Sequence, residues 1–291
     1  MSNGSYPMCV CYGPYHQAGL GPESGGYTQT DIENDMAIIA KYFKKIRTYA
    51  VDDANQWNVQ VASQYGLKVC LGAAIKSAWP DTQSQIDTAI QQAKTYPGTV
   101  EHIIVGNEVD RVSDPATVSN ALDYAIQNKS GLNIPVTSCF TGTAGTKTDW
   151  QNAIRRCEEV VYLTVYPWWA PNTPPPDNID ANMQWSYDNG IKQVIFPPVQ
   201  RRVIIAEIGW PSAGVSDKGT TPENEALNYP TTQSWVSGNN TLNLSLETFW
   251  FEMFDEPWKT DEGAQGPFWG LYGSGTNPRQ KVAGLPPPIS N

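Results

Sequence analysis

Eight short apolar segments recur along this 291-residue chain, and each is rich in β-branched or aromatic residues. Several are apolar throughout rather than alternating, which is typical of strands buried on both faces of a parallel sheet. Such strands need a packed interior on one face and helices on the other. The segments span 6–12, 46–50, 67–75, 100–109, 134–140, 160–168, 202–210 and 247–256.

The intervening segments have helical periodicity. In 31–45 apolar residues recur every three or four positions, and Thr28 or Thr30 is the candidate N-cap. Strands alternating with helices, without a long linker, predict an α/β fold: a single (β/α)8 TIM barrel across 1–291 with an extended proline-rich end at 284–291. A doubly wound open sheet is the alternative, but no GxGxxG or Walker motif supports a nucleotide-binding version. Further helices are expected at 53–65, 82–95, 116–127, 148–157, 178–190 and 222–237.

Composition disfavours several classes of function. A net charge of −10 argues against a nucleic-acid binder, which needs a basic surface. No apolar run reaches ~18 residues, so no membrane span is expected. Two histidines and five cysteines, without CxxC or Cys/His metal spacing, predict no metal site and no cofactor. The 11 Trp, 14 Tyr and 7 Phe can either pack in the core or stack on the apolar faces of sugar rings.

Localisation is indicated by N-glycosylation sequons. Four of them fit a secreted or cell-wall protein, namely those at Asn3, Asn128, Asn239 and Asn243. The chain starts without a signal-peptide pattern, so a secreted protein would be seen here in a mature or trimmed form. The odd number of cysteines leaves at least one thiol unpaired within the chain. We expect a monomer.

Two glutamates close apolar segments in matching positions. Glu108 ends the fourth segment, in IIVGNEV, and Glu207 ends the seventh, in VIIAEIGW. A single glutamate there can be a salt bridge at the barrel rim, because a buried carboxylate needs a partner. Two glutamates on one rim indicate a catalytic site, since barrel enzymes have their active sites at the C-terminal ends of the strands. Glycoside hydrolysis uses such a pair, with one carboxyl protonated and the other ionised.

The most distinctive motifs of the chain are VGNEV, VYPWW, VIIAEIGWPS, FWFEMFDEPWK and FWGLYG. They resemble those of glycoside hydrolase family 17, which acts on β-1,3-glucan. The resemblance runs from VCYG at 10–13 to WGLYG at 269–273, and points to the short fungal branch of cell-wall glucanases and glucanosyltransferases. It implies a retaining mechanism without a cofactor. It also implies that the binding partner is β-1,3-glucan or its oligosaccharides.

The resemblance also implies roles for individual residues. Glu108 is expected to be the general acid/base and Glu207 the nucleophile. Asn107 would hydrogen-bond the sugar hydroxyl next to the reacting carbon. Tyr166 would hydrogen-bond the nucleophile, unless it is a tyrosine at the edge of the core. Strict strand alternation points Asn107 away from the face of Glu108, so both reach the site only if the strand end breaks register.

The eighth segment suggests further site residues. Alternation predicts that Phe249, Phe251 and Met253 face the helices and that Trp250, Glu252, Phe254 and Glu256 point into the barrel. Glu256 and Lys259 match family residues that line the site, although a structural ion pair is equally open. The candidates for sugar stacking or site walls, each with a core position as the alternative, are Tyr12, Trp168, Trp210 and Trp258.

Several functions stay open at this point. An endo-hydrolase and a glucanosyltransferase share every catalytic residue and differ in whether water or a second sugar chain attacks the intermediate. A β-1,4-glycanase on the same scaffold is an alternative, because related barrels share the Asn-Glu pair. A non-catalytic sugar-binding barrel is another, although it should have lost one of the two glutamates. The chain is short around the sixth β/α unit compared with plant members of the family, which predicts a shallow cleft.

Overall fold

The computed structural model describes residues 7–170 and 172–289, and its centre is a closed parallel barrel. The strands are β1 Cys9–Cys11, β2 Lys45–Arg47, β3 Lys68–Ala73, β4 Val100–Val105, β5 in two halves (Val136–Thr137 and Cys139–Thr141), β6 Val160–Thr164, β7 Arg202–Ile208 and β8 Thr248–Trp250. Each strand pairs in parallel with its neighbours, and β8 pairs with β1. The first half of β5 pairs with β4 and the second with β6. The predicted (β/α)8 barrel is confirmed.

Helices connect consecutive strands as far as β8. They are α1 Gln29–Ile39, α2 Asn58–Gln64, α3 Trp79–Thr95, α4 Val109–Val112, α5 Pro115–Asn128, α6 Gln151–Arg156, α7 Asp180–Ser186, α8 Lys192–Ile195 and α9 Pro222–Val236. A π-helical turn, Tyr187–Ile191, joins α7 to α8. Every segment predicted to be helical overlaps one of these helices. Within the described ranges, no helix combines the length and the apolar character needed to cross a membrane.

The chain after β8 differs from the preceding units. Residues 251–289 contain one 3-10 turn, Thr260–Glu262, and no α-helix. Isolated bridges tie Tyr272 to Phe254 and to Gln280 instead. The proline-rich end has neither helix nor strand up to residue 289, and residues 290 and 291 lie outside the described part of the chain.

The outer helices cover the barrel with apolar stripes. In α3 the periodicity correctly predicts that Ile86, Ala89, Ile90 and Ala93 are buried. Burying a large apolar side chain contributes about 1.5–3 kcal/mol, so these stripes hold the helices on the barrel. The strands are mostly apolar, so buried charged groups such as Arg47 and Glu207 near their C-terminal ends need ionic or hydrogen-bonding partners.

The interior face of β8 is the opposite of the predicted one. The ring of Phe249 lies 6.1 Å from that of Tyr162 on β6, a strand that is not adjacent to β8, so this contact crosses the barrel interior. The ring of Trp250 lies 4.9 Å from that of Tyr229 on α9, outside the barrel. The prediction was therefore wrong for both residues. The strand also ends at Trp250, so alternation does not extend to Glu252 and Glu256.

Helix α1 begins with a capping box at Thr28. The Thr28 hydroxyl accepts a hydrogen bond from the Asp31 amide at 3.4 Å, and the Asp31 carboxylate accepts one from the Thr28 amide at 2.8 Å. We expect Thr28→Ala to lower the free energy of unfolding by about 1 kcal/mol, because it leaves helix donors unpaired. Thr30→Ala, two residues further on in the first turn of α1, is the matched control and should change stability little. Urea unfolding measures both, and equal losses would contradict the cap.

Candidate functional site

Glu207 lies at the C-terminal end of β7, and its side chain is only 6% exposed. Its Oε1 accepts hydrogen bonds from Arg47 Nη1 at 2.6 Å and from the Tyr49 hydroxyl at 3.0 Å. Its Oε2 accepts one from the Tyr166 hydroxyl at 2.7 Å. Both carboxylate oxygens are therefore fixed by side chains from the ends of β2 and β6.

Arg47 links Glu207 to a third strand. Its Nη2 donates to the Asn107 side-chain oxygen at 2.6 Å while Nη1 holds Glu207. The guanidinium is almost fully buried, and its carbon lies 4.6 Å from the centre of the Tyr49 ring. A buried charge of this kind is tolerated because it is paired and hydrogen-bonded. Arg47 consequently sets the positions of Glu207 and Asn107 relative to each other.

Asn107 and Glu108 reach the site because β4 ends before them. The strand stops at Val105, Gly106 has φ +78°, and Glu108 has φ 44° and ψ 42° as it starts α4. These left-handed residues are the break in register that the two neighbouring side chains require. A non-glycine residue in this region costs about 1–3 kcal/mol and is found preferentially at functional sites.

Glu108 is held more loosely than Glu207. Its Oε1 accepts from the Thr164 hydroxyl at 2.6 Å, and its Oε2 accepts from Arg111 at 2.6 Å. The Glu108 side chain is 19% exposed and that of Arg111 is 66% exposed, so this carboxyl faces solvent. Thr164, which binds Glu108, lies directly opposite Glu207 in the pairing of β6 with β7. The two glutamates are thus neighbours across one strand.

The tyrosines around Glu207 act as donors. Burial, and after it the negative charge of Glu207, raises the pKa of the Tyr166 hydroxyl well above its ordinary value. Burial is also the main cause that raises the pKa of the Tyr49 hydroxyl, and the charge of Glu207 raises it further. Both hydroxyls therefore keep their protons at neutral pH and donate them in hydrogen bonds to the carboxylate.

Glu256 and Lys259 form a buried ion pair. Lys259 Nζ lies 2.6 Å from Glu256 and 3.0 Å from Glu252, and all three side chains are buried. Burial lowers the pKa of Lys259, but the charges of Glu252 and Glu256 outweigh it and raise that pKa. Lys259 Nζ also lies 4.4 Å from the ring of Phe251. Since Phe251 packs against Tyr166, the cluster lies directly behind the site.

Three of the proposed stacking residues have no free ring face. Tyr12 is fully buried and donates to Asp35 on α1 at 2.7 Å. Trp168 and Trp210 are each 1% exposed, and their indole nitrogens donate to backbone oxygens in the loop before α9. The burial of these three rings favours the core alternative over sugar stacking, and their part in the walls of the site stays a prediction. Trp258 is partly exposed and packs edge-on against Tyr15.

Four residues of the site were missed in the sequence. Arg47 could have been found, because a guanidinium within the apolar run IRTYA needs a buried partner. Tyr49, two positions later, shares its side of the strand. Arg111 is three residues after Glu108, at helical spacing. Thr164 gave no signal, since a threonine is ordinary in a strand.

The cysteines offer no alternative chemistry. All five are buried free thiols, and burial raises the pKa of Cys11 and of Cys70 to about 12. Among residues 7–170 and 172–289, no group of three or more His, Cys, Asp or Glu side chains is placed to hold a metal ion. The sequon asparagines at 128, 239 and 243 are exposed, and Asn3 lies outside the described residues.

Comparison with known sequences identifies a family and distant relatives. The sequence model of the family described as the BtgE/BtgC glycoside hydrolase domain matches residues 9–270. The probable glucan endo-1,3-β-glucosidase btgC of Aspergillus fumigatus is 26% identical over 94% of this chain and 40% of its own length. The glucan endo-1,3-β-glucosidase btgC of Emericella nidulans is 24% identical over 86% of this chain and 41% of its own length. The chain thus spans about 40% of the length of the first of these relatives.

Solved structures share the fold. The family 17 β-1,3-glucanosyltransferase of Rhizomucor miehei is 21% identical, with a TM-score of 0.75 over 96% of this chain and 98% of that chain. An active-site mutant of the same enzyme, in complex with laminaritriose, is 22% identical with the same TM-score and coverage. An endo-laminarinase from Formosa is 20% identical, with a TM-score of 0.75 over 93% of this chain and 84% of that chain. At these identities the match is one of fold.

Proposed function

The chain belongs to the BtgE/BtgC glycoside hydrolase domain family, and on that basis we propose that it cleaves β-1,3-glucan with retention of configuration, using Glu108 and Glu207. The family match also confirms the resemblance predicted from the motifs. One observation carries the mechanism: the two carboxyls lie on either side of Thr164 in different environments. Glu207 accepts hydrogen bonds from three buried donors, whereas Glu108 faces solvent.

In the first step Glu207 is the nucleophile. Arg47, Tyr49 and Tyr166 donate hydrogen bonds to its carboxylate and fix the direction of both oxygens. One oxygen attacks the anomeric carbon as the bond to the leaving sugar oxygen breaks, and Glu108 gives its proton to that oxygen. The product is a glycosyl ester on Glu207 and a free chain end. The Oδ1 of Asn107 is held by Arg47, so its Nδ2 can donate a hydrogen bond to the neighbouring sugar hydroxyl.

In the second step Glu108 is the base. It removes a proton from water or from a sugar hydroxyl, whose oxygen forms a new bond to the anomeric carbon while the ester bond to Glu207 breaks. Two inversions give overall retention. Water yields hydrolysis and a sugar hydroxyl yields transfer. Glu108 suits both duties because its carboxyl faces the solvent side where an acceptor arrives.

The substrate class is inferred from the relatives. Proteins named as endo-1,3-β-glucosidases match most of the chain, and a structural neighbour was solved with laminaritriose. An acidic chain with a net charge of −10 suits a neutral polymer. A secreted or cell-wall location and a monomeric state complete the proposal. No feature of the site favours a β-1,4-glycanase, and the intact network around both glutamates argues against a barrel that only binds sugar.

Product analysis tests this proposal. Incubation with laminaripentaose at millimolar concentration should give shorter β-1,3-oligosaccharides whose new chain ends start as the β-anomer in NMR, together with some products longer than the substrate. Retention corresponds to carboxyls about 5–5.5 Å apart. Cellopentaose and mannopentaose are the controls and should stay intact. Release of the α-anomer would contradict the retaining mechanism, and exclusively shorter products would identify a plain hydrolase.

A further inference from the structure

Helix α4 is too short to be stable by itself. It comprises only Val109–Val112 and starts from Glu108, whose φ of 44° is left-handed. Isolated helices shorter than about 12–15 residues are marginal in water. A left-handed residue other than glycine likewise persists only where the surrounding structure enforces it. The position of Glu108 therefore depends on what attaches α4 to the barrel.

Asp110 provides a polar attachment of α4. Its side chain is fully buried. The Thr141 amide donates to Oδ1 at 2.7 Å, and Oδ2 accepts from the Thr141 hydroxyl and from Lys147 Nζ, both at 2.6 Å. Burial raises the pKa of Asp110, but the hydrogen bonds from Lys147 and Thr141 outweigh it and lower that pKa. Asp110 is therefore ionised at neutral pH, and its charge strengthens all three hydrogen bonds.

The point of attachment lies on the same row across the strands as the two glutamates. Thr141 pairs with Thr164 between β5 and β6, and Thr164 pairs with Glu207 between β6 and β7. Thr164 also donates to Glu108 Oε1 at 2.6 Å. Asp110 thus attaches α4 to the first threonine of this row, and Glu108 is bound to the second. Two attachments to neighbouring strands fix the orientation of α4, whereas one would let it rotate.

Two other contacts near Glu108 do not fix this orientation. Val109 is fully buried, but apolar contact is non-directional. Arg111 donates to Glu108 Oε2 at 2.6 Å, yet it lies on α4 and moves with it. The Arg111 bond therefore orients the carboxyl relative to the helix, and the bonds of Asp110 orient the helix relative to the barrel.

We propose that Asp110 is a positioning residue for proton transfer: by holding α4 on the end of β5, it keeps the Glu108 carboxyl directed at the oxygen that leaves or attacks. The proposal rests on the function proposed above and adds a residue that acts only through Glu108. Glu207 is fixed by Arg47 and by its own strand, so it can still form the glycosyl ester when α4 shifts. A displacement of about 1 Å can cost about 100-fold in rate, so the loss should be large wherever a proton has to be transferred.

Two glycosides that differ only in their leaving group test this role. Phenyl β-laminaribioside needs a proton from Glu108, whereas 2,4-dinitrophenol leaves as an anion, and kcat/KM for both glycosides reports formation of the glycosyl ester. We expect Asp110→Ala to lower kcat/KM about 100-fold for the phenyl glycoside and less than about threefold for the dinitrophenyl glycoside. Asp110→Asn keeps an acceptor for the Thr141 amide and should lose about tenfold on the phenyl glycoside alone. Lys147→Met, which leaves α4 itself unchanged, should show the same selective loss at about fivefold.

Asp114→Ala is the matched control. Asp114 follows α4, and its carboxylate also accepts three hydrogen bonds, but from Ala116 and Thr117 at the start of α5. This variant should unfold at a lower urea concentration and keep wild-type rates on both glycosides.

The ratio of the two kcat/KM values decides the proposal. Equal slowing on both glycosides, or wild-type rates on both, by an Asp110→Ala protein that urea unfolding shows to be folded would overturn the positioning role alone. If Asp110→Ala does not fold, Asp110→Asn is judged by the same ratio. A wild type that cleaves neither glycoside would overturn the proposed function and the role of Asp110 together.

Discussion

Glu207→Gln should lose activity on every β-1,3-glucan substrate, by about 10⁴-fold or more in kcat. An amide at this position cannot form the glycosyl ester, and no other carboxylate in the described residues shares its contacts with Arg47, Tyr49 and Tyr166. The loss should be equally severe with an activated aryl glycoside, because formation of the ester is then still required. Rates of reducing-sugar and nitrophenol release measure the two cases.

Glu108→Gln is the matched comparison. It should be inactive on laminarin but release nitrophenol from an aryl laminaribioside, because that leaving group needs no proton. Added azide sharpens the assignment. Glu207→Ala with azide should form the α-glycosyl azide on the vacated face, whereas Glu108→Ala with azide should form the β-glycosyl azide from the ester. If the two azides came from the opposite variants, the roles of the glutamates would have to be exchanged.

Arg47→Met should lower the free energy of unfolding by about 3–5 kcal/mol, because it leaves the buried carboxylate of Glu207 without its cation. Activity should fall with it, since Asn107 loses the same partner. The matched control is Arg47→Lys, which keeps the charge but cannot hold both groups with one planar fork. It should recover much of the stability and less of the activity. Urea unfolding and kcat/KM provide the two readouts.

The double variant Arg47→Met/Glu207→Gln tests the cause of that loss. If the unpaired charge is responsible, the two changes together should cost less than the sum of the single changes, by about 2–3 kcal/mol. Simple additivity would instead indicate that Arg47 stabilises the barrel through packing alone.

The barrel could be predicted from the sequence because each buried strand leaves its own apolar run of consecutive residues. Parallel strands buried on both faces produce apolar runs, and Glu108 and Glu207 interrupt two of those runs at equivalent points. The requirement that the strand break register near Asn107 also followed from alternation, and the left-handed Gly106 and Glu108 meet it.

What the sequence missed depends on contacts between distant segments. Arg47 and Glu207 are 160 residues apart, so their pairing leaves no local pattern. Alternation separates the two faces of β8 but does not tell which face is the interior one. The packing of Trp250 on α9 decides this. The exposure of individual tryptophans could not be predicted from the sequence either. Trp168 and Trp169 are adjacent, yet the first is 1% exposed and the second 51%.

The left-handed start of α4 gives the two glutamates different kinds of rigidity. Glu207 belongs to a barrel strand, so the strand must unfold before Glu207 can move far, and strands of the core unfold only with the whole barrel. Glu108 stands on a four-residue helix and is fixed by a handful of side-chain bonds. Local fluctuation of this corner moves one carboxyl and leaves the other in place. Substitutions at Arg111 are therefore expected to shift the carboxyl of Glu108 while Glu207 and the barrel stay in place.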